Sequence, residues 1–257
     1  MNINMKIRVL IILLLIVVSS CASKKDILYL QDSIENNTSN ITYQNVLIQP
    51  NDILKITVES LVPEAAVPYN RVSNSNALPN SIELIQLSGY LVSNKGEVNF
   101  PNLGPIVVSN LTTFEIEKKI RNILTEGGHL KSPNVNVRLL NAKVTILGQV
   151  NAPGTYTYTE QSITILQALG YAGDLTINGK RDDIIITRDV GGMRKISHLD
   201  LTSTDFMDSE YYFIKPNDQI IVNPNNPKVK ESGFIGDVNT VLTVVSLALS
   251  ITILLSR

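Results

Sequence analysis

Cys21 is the chain's only cysteine, and it closes the run Val18-Ser19-Ser20-Cys21. A branched apolar residue at minus three and small residues before the thiol suit the pocket of a lipoprotein signal peptidase. The thiol is then the nucleophile that takes up a diacylglyceryl group. The segment that must present it fits. Lys6 and Arg8 make a short basic region, and residues 9–18 (VLIILLLIVV) are unbroken apolar sequence. Ten residues suit a signal peptide and are too short to cross a bilayer. Residues 1–20 are therefore expected to be a cleaved lipoprotein signal peptide, with Cys21 the lipidation site. Ala22, instead of Asp, follows the cysteine, which favours sorting to an outer membrane. Several acyl chains, each burying about 0.8 kcal/mol per CH₂, anchor a protein firmly.

Little else in the sequence suggests chemistry. There is no nucleophile elbow, no His-Glu-x-x-His and no phosphate-binding Gly-Lys-Ser/Thr loop. The two histidines, His129 and His198, sit in no motif and read as turn or surface residues. Asp182, Asp183 and Asp189, and separately Asp200, Asp205 and Asp208, lack the alternating spacing of a calcium loop. No catalytic residue, metal site or cofactor is expected. Lys plus Arg number 22 against 23 for Asp plus Glu, so no basic excess exists to neutralise a nucleic acid. One cysteine rules out an intrachain disulfide. Hydrophobic residues at 44% and charged residues at 18% describe a folded chain, with both ends greasier than the middle.

The C-terminal end is the second apolar element. Residues 234–255 (FIGDVNTVLTVVSLALSITILL) carry one charge, Asp237. As a helix they would extend roughly 33 Å, enough for a transmembrane span. Asn239, Thr243, Ser246 and Ser250 are spaced to share one helical face. Two readings stay open. The helix is a plain anchor whose hydroxyls bond back to their own backbone, or the stripe is a helix–helix seam or pore lining.

Between the ends, residues 21–46 read as a lipidated, Asn-rich tether, and two small mixed α/β modules follow. The first, residues 47–140, has a strand from Ile53, a long loop between 59 and 80, short strands at 82–87 and 90–92, and a hairpin turn at Asn94-Lys95-Gly96. A helix capped by Asn110 or Thr112 follows, with Leu111, Phe114, Ile116, Ile120, Ile123 and Leu124 near helical spacing. The second, residues 141–224, opens on a strand and the turn Pro153-Gly154. A helix capped by Ser162 comes next, closed by Gly173, and then a hairpin around Gly191-Gly192. One internal echo stands out: Pro50-Asn51-Asp52 opens the first module and Pro216-Asn217-Asp218 closes the second. Each reads as a tight turn into a strand.

These residues together resemble a family. Residues 144–156 (VTILGQVNAPGTY) and 164–173 (TILQALGYAG) resemble the SLBB domain, a ligand-binding β-grasp module. Pro50, Asp52 and residues 89–104 (GYLVSNKGEVNFPNLG) resemble the polysaccharide export domain. Their order, with the opening CASKKDILY at 21–29, is similar to short Bacteroidota-type members of the Wza-like outer-membrane export family. The resemblance implies an α+β chain: an export domain, a β-grasp domain and a C-terminal transmembrane helix. It also implies a non-enzymatic conduit for capsular or extracellular polysaccharide. The implied partners are copies of the chain in a ring, typically eight, and an inner-membrane co-polymerase, often a tyrosine autokinase. The implied location is the outer membrane, with the globular part in the periplasm. Two departures are visible. The family's Pro-Gly-Asp is Pro-Asn-Asp here, and the chain has one SLBB module where long members have more. A carbohydrate-binding or scaffolding lipoprotein is the alternative reading.

Overall fold

The computed structural model describes residues 27–33, 41, 43, 45–71, 86, 88–226, 242, 243, 246, 247 and 250. Cys21, Asn239 and most of residues 234–255 lie outside these, as does the strand expected at 82–87 apart from Gln86.

The described part is mixed α/β with few helices, as expected, and its buried side chains form two separate cores. The first core is built by β1 (Ile53–Glu59), α1 (Pro63–Ala66), β2 (Tyr90–Leu91), β3 (Glu97–Phe100), β4 (Gly104–Val107), α2 (Thr113–Glu126) and β5 (Asn134–Leu139). An antiparallel sheet in the order β2-β1-β5 packs beside the β3-β4 hairpin. Alternation drives it: Leu54, Ile56 and Val58 on β1 point inward, opposite Val135 and Val137 on β5. Helix α2 contributes Ile116, Ile120 and Leu124, one residue per turn and fully buried. Thr112, not Asn110, caps it. Glu115 N–H donates to the Thr112 hydroxyl, and the Glu115 carboxylate accepts from Thr112 N–H. These bonds hold the Glu115 carboxyl below its ordinary pKa.

Two expectations for this module need correction. Phe114 does not face the core but is 69% exposed. It lies two residues from Ile116, about 200° around the helix, so it cannot share a face with Ile116, Ile120 and Leu124. The long loop after β1 also contains α1, where Pro63 sits in the first turn and needs no N–H partner.

The second core is built by β6 (Lys143–Gly148), β7 (Gly154–Thr157), β8 (Ile163–Thr164), α3 (Ile165–Tyr171), β9 (Gly179–Val190), β10 (Met193–Leu199), β11 (Phe213–Ile214) and β12 (Gln219–Pro224). Five strands form one sheet in the order β10-β9-β12-β6-β7, while β8 and β11 pair separately. Within the sheet only β12 and β6 run parallel. Gly148 is required at that seam: its φ is +92°, and a Cβ there would fall 2.0 Å from the Val222 carbonyl oxygen. The helix cap is Thr164 with Gln167, not Ser162. Ile163 and Thr164 are held by pairing with β11, and this tertiary contact delays the helix by two residues.

The tether is also shorter than expected. Leu30 N–H donates to Leu201 O at 3.1 Å, Gln31 N–H to Thr202 O at 2.6 Å, and Ser203 Oγ to Asp32 at 2.9 Å. Residues 27–33 thus dock on the second module.

No helix among the described residues is long and apolar enough to cross a membrane. The transmembrane span expected at 234–255 falls mainly outside those residues.

Candidate functional site at the module junction

The two Pro-Asn-Asp segments are the same device built twice. Proline fixes φ at the second turn position, and in a type II turn the third is left-handed. Asn51 has φ 73° and Asn217 φ 70°; asparagine tolerates this region better than other non-glycine residues. The turns close with Asp52 N–H donating to Gln49 O at 3.2 Å and Asp218 N–H donating to Lys215 O at 3.1 Å. Each aspartate then turns back: Asp52 Oδ2 accepts from Gln49 N–H at 2.9 Å, and Asp218 Oδ2 from Lys215 N–H at 2.8 Å. Both aspartates are buried.

Their surroundings differ. Arg188 donates from Nε and Nη2 to the Asp218 carboxylate, the shortest bond being 2.7 Å, with both side chains at most 3% exposed. Its remaining donors reach Glu210 O at 3.1 Å and Phe213 O at 3.0 Å, and its guanidinium lies 4.6 Å from the Tyr211 ring centroid. This is a geometrically complete buried pair. Asp52 has no such partner; Lys143 offers only a distant positive charge. Burial therefore pushes its carboxyl up to about 6, against the opposing pull of the Gln49 N–H and Lys143.

Both turns hold the connection between the modules. Leu140 N–H donates to Ile53 O at 2.8 Å, and Asn141 Nδ2 to Asn51 O at 3.0 Å, while Asn141 Oδ1 accepts from Ile53 N–H. Ala142 O accepts from Tyr158 N–H at 3.1 Å, and Lys143 O from Asn217 N–H at 2.7 Å. Gln49 Nε2 reaches across to Asp189 O at 3.3 Å. Leu140 and Asn141 are thus bonded into the first module and Ala142 and Lys143 into the second, with the Gln49 bond spanning the joint. A cleft of about 930 Å³ opens beside it, lined by Tyr43, Phe114, Glu117, Arg138 and Glu160 among others. Glu117 accepts from the Val137 N–H, occupying a backbone donor of β5, and Glu160 accepts from the Thr159 N–H. Tyr158 also borders the cleft, with its hydroxyl buried and without a hydrogen-bond partner.

The other residues singled out from the sequence lie apart. Gly96 has φ +78° in the turn closed by its N–H to Ser93 O, and a Cβ there would strike Ser109 Oγ. Pro153 and Gly154 lead into β7, with Gly154 opposite Ile146. A Cβ on Gly154 would meet nothing closer than 3.7 Å, so this glycine is not forced by space. Ser246 Oγ donates to Thr243 O at 2.9 Å and Ser250 Oγ to Ser246 O at 2.8 Å, the back-bonding of the first reading above. His129 Nδ1 is 3.2 Å from Tyr69 Oη. His198 Nδ1 is 2.5 Å from Asp183, which also binds Lys180. Asp189 pairs with Arg194. Among the described residues no cluster of His, Cys, Asp or Glu could hold a metal ion.

Two anchors escaped the sequence reading. Arg188 shares strand parity with the buried Ile184 and Ile186, and a cation at an inward position is a readable sign of a buried partner. Tyr29, whose hydroxyl donates to Asp174 Oδ1 at 2.5 Å, gave no such sign.

Comparison with known proteins agrees with this division. Residues 41–140 match the family described as polysaccharide biosynthesis/export protein, and residues 142–222 match the SLBB domain. The EPS I polysaccharide export outer membrane protein EpsA of Ralstonia solanacearum is 28% identical over 198 residues, covering 74% of this chain and 51% of that protein. Its namesake from Ralstonia nicotianae is 33% identical over 106 residues, 40% of this chain and 27% of the relative. The chain spans about half the length, or less, of these curated relatives. The two matches, adjacent and in order, meet at the clamped linker, and the chain belongs to the polysaccharide export protein family, a family of export proteins and not of enzymes.

Proposed function

We propose that this chain is an outer-membrane lipoprotein subunit of an oligomeric channel that exports capsular or extracellular polysaccharide. The observation that carries the reading is the export domain followed directly by an SLBB domain, in a chain related to outer-membrane export proteins. Acylated Cys21 anchors it, and residues 234–255 form a transmembrane helix from each subunit. The globular modules stand in the periplasm and make the ring that meets an inner-membrane co-polymerase or tyrosine autokinase. The subunit's task is mechanical: it encloses a path and catalyses nothing.

The test is the native mass of the lipidated protein in mild detergent, together with surface polysaccharide in a deletion strain. A discrete high-order oligomer and loss of polysaccharide are expected. A monomer at all concentrations, with polysaccharide unchanged, overturns the proposal. A second reading, a glycan-binding scaffold, is favoured by the cleft between the modules. It predicts saturable binding of the exported polysaccharide's oligosaccharides to the monomer.

A further inference from the structure

Both chain ends leave the second module at one place. Tyr29 is fixed there by its bond to Asp174 and by the Arg181 guanidinium 5.1 Å from its ring centroid. At the other end Asn225 N–H donates to Asn178 O at 2.8 Å and its Nδ2 to Ile177 O at 3.0 Å, while Pro224 lies opposite Gly179. Segment 174–181 therefore receives both ends. Tyr29 lies eight positions after Cys21, and the apolar run beginning at Phe234 starts eight positions after Asn226. Fully extended, each stretch reaches at most ~28 Å.

The side chains at this place suit a lipid surface. Ile177 is 68% exposed at the tip, and Ile27 and Leu28, next to Tyr29, are also exposed. Residues 175–178 (LTIN) carry no charge. Asp174, which precedes this stretch, has its Oδ1 held by the Tyr29 hydroxyl and the Leu175 N–H. Tyr156 and Tyr171 stack beside it with centroids 6.3 Å apart, brought there by the bonds from Ala152 N–H to Ala172 O and from Asn151 N–H to Asp174 O. Tyrosines at such a level are the amphipathic residues that membrane interfaces select.

We propose that the second module rests on the bilayer through segment 174–178, with Ile177 inserted among the lipid headgroups. This rests on the reading that Cys21 and residues 234–255 attach the chain to a membrane. It adds a lipid-contact residue within the folded module.

The chain has no tryptophan, which makes the test direct. Ile177→Trp in the full lipidated protein is placed in phosphatidylethanolamine/phosphatidylglycerol vesicles with brominated acyl chains. Leu61→Trp, exposed in the first module, is the comparator. The tryptophan at 177 should shift to the blue and lose most of its emission, while that at 61 keeps both. Three outcomes overturn the proposal, and they are distinguishable. Protein that floats with the vesicles but leaves the 177 probe open to aqueous iodide means the loop stands in water. A probe shielded from iodide yet indifferent to bromine means that a second copy covers it. Protein that does not float removes the membrane attachment itself.

Discussion

Asn51 and Asn217 share one left-handed backbone conformation, and they grip opposite ends of one linker. The carbonyl of Asn51 accepts from Asn141, and the N–H of Asn217 donates to Lys143. The turns differ in sequence position but agree in φ to within a few degrees.

Substitution at these positions should therefore follow backbone cost, not side-chain contact. Asn51→Gly should change stability by less than about 0.5 kcal/mol, because easier left-handed geometry offsets a freer unfolded chain. Asn51→Val should cost about 2 kcal/mol. Urea denaturation of the three proteins checks the ordering, and a valine variant as stable as the glycine one would contradict it.

The Arg188–Asp218 pair should be costly to break and cheap to replace. Arg188→Ala leaves a buried carboxylate without its cation and should cost about 3–5 kcal/mol. Arg188→Met combined with Asp218→Asn removes both charges while leaving an acceptor for the Lys215 N–H, and should recover a large part of that loss. Equal destabilisation of the single and double variants would show that the guanidinium acts through its bonds to Glu210 O and Phe213 O instead.

Asp52 should make the wild-type protein less stable as pH rises. Its folded pKa of about 6 lies above the ordinary 3.8. Its contribution is fully present below 3.8 and is lost as pH rises through 6. The gap corresponds to about 3 kcal/mol. Asp52→Asn keeps an acceptor for the Gln49 N–H without the charge. It should be the more stable protein near pH 7.5, with the advantage vanishing near pH 4. Paired urea titrations across that range read the difference directly, and a constant gap between the two proteins would refute it.

Local periodicity made much of the fold legible. Ile116, Ile120 and Leu124 fall one helical turn apart, and Val135 and Val137 alternate, so the core of the first module could be read directly. What failed depended on contacts distant in sequence. Ser162 looked like a cap because nothing local reveals that Ile163 and Thr164 pair with β11. Residues 27–33 looked like tether because their partners, Leu201 and Thr202, lie far along the chain. Phe114 was a periodicity error of another kind, an apolar residue on the wrong side of an amphipathic helix. At the candidate site the paired turns were visible as a repeated Pro-Asn-Asp. That both would close on one linker required the folded chain.

The bonded linker has a geometric consequence for assembly. In a closed ring of identical subunits, the angle subtended by each copy sets how many complete the circle. A hinged pair of modules would leave that angle adjustable, and ring size would drift with conditions. Here Asn141 is bonded into the first module and Ala142 and Lys143 into the second, so in the proposed ring any change of that angle falls on the one peptide joining residues 141 and 142, braced by the Gln49–Asp189 bond.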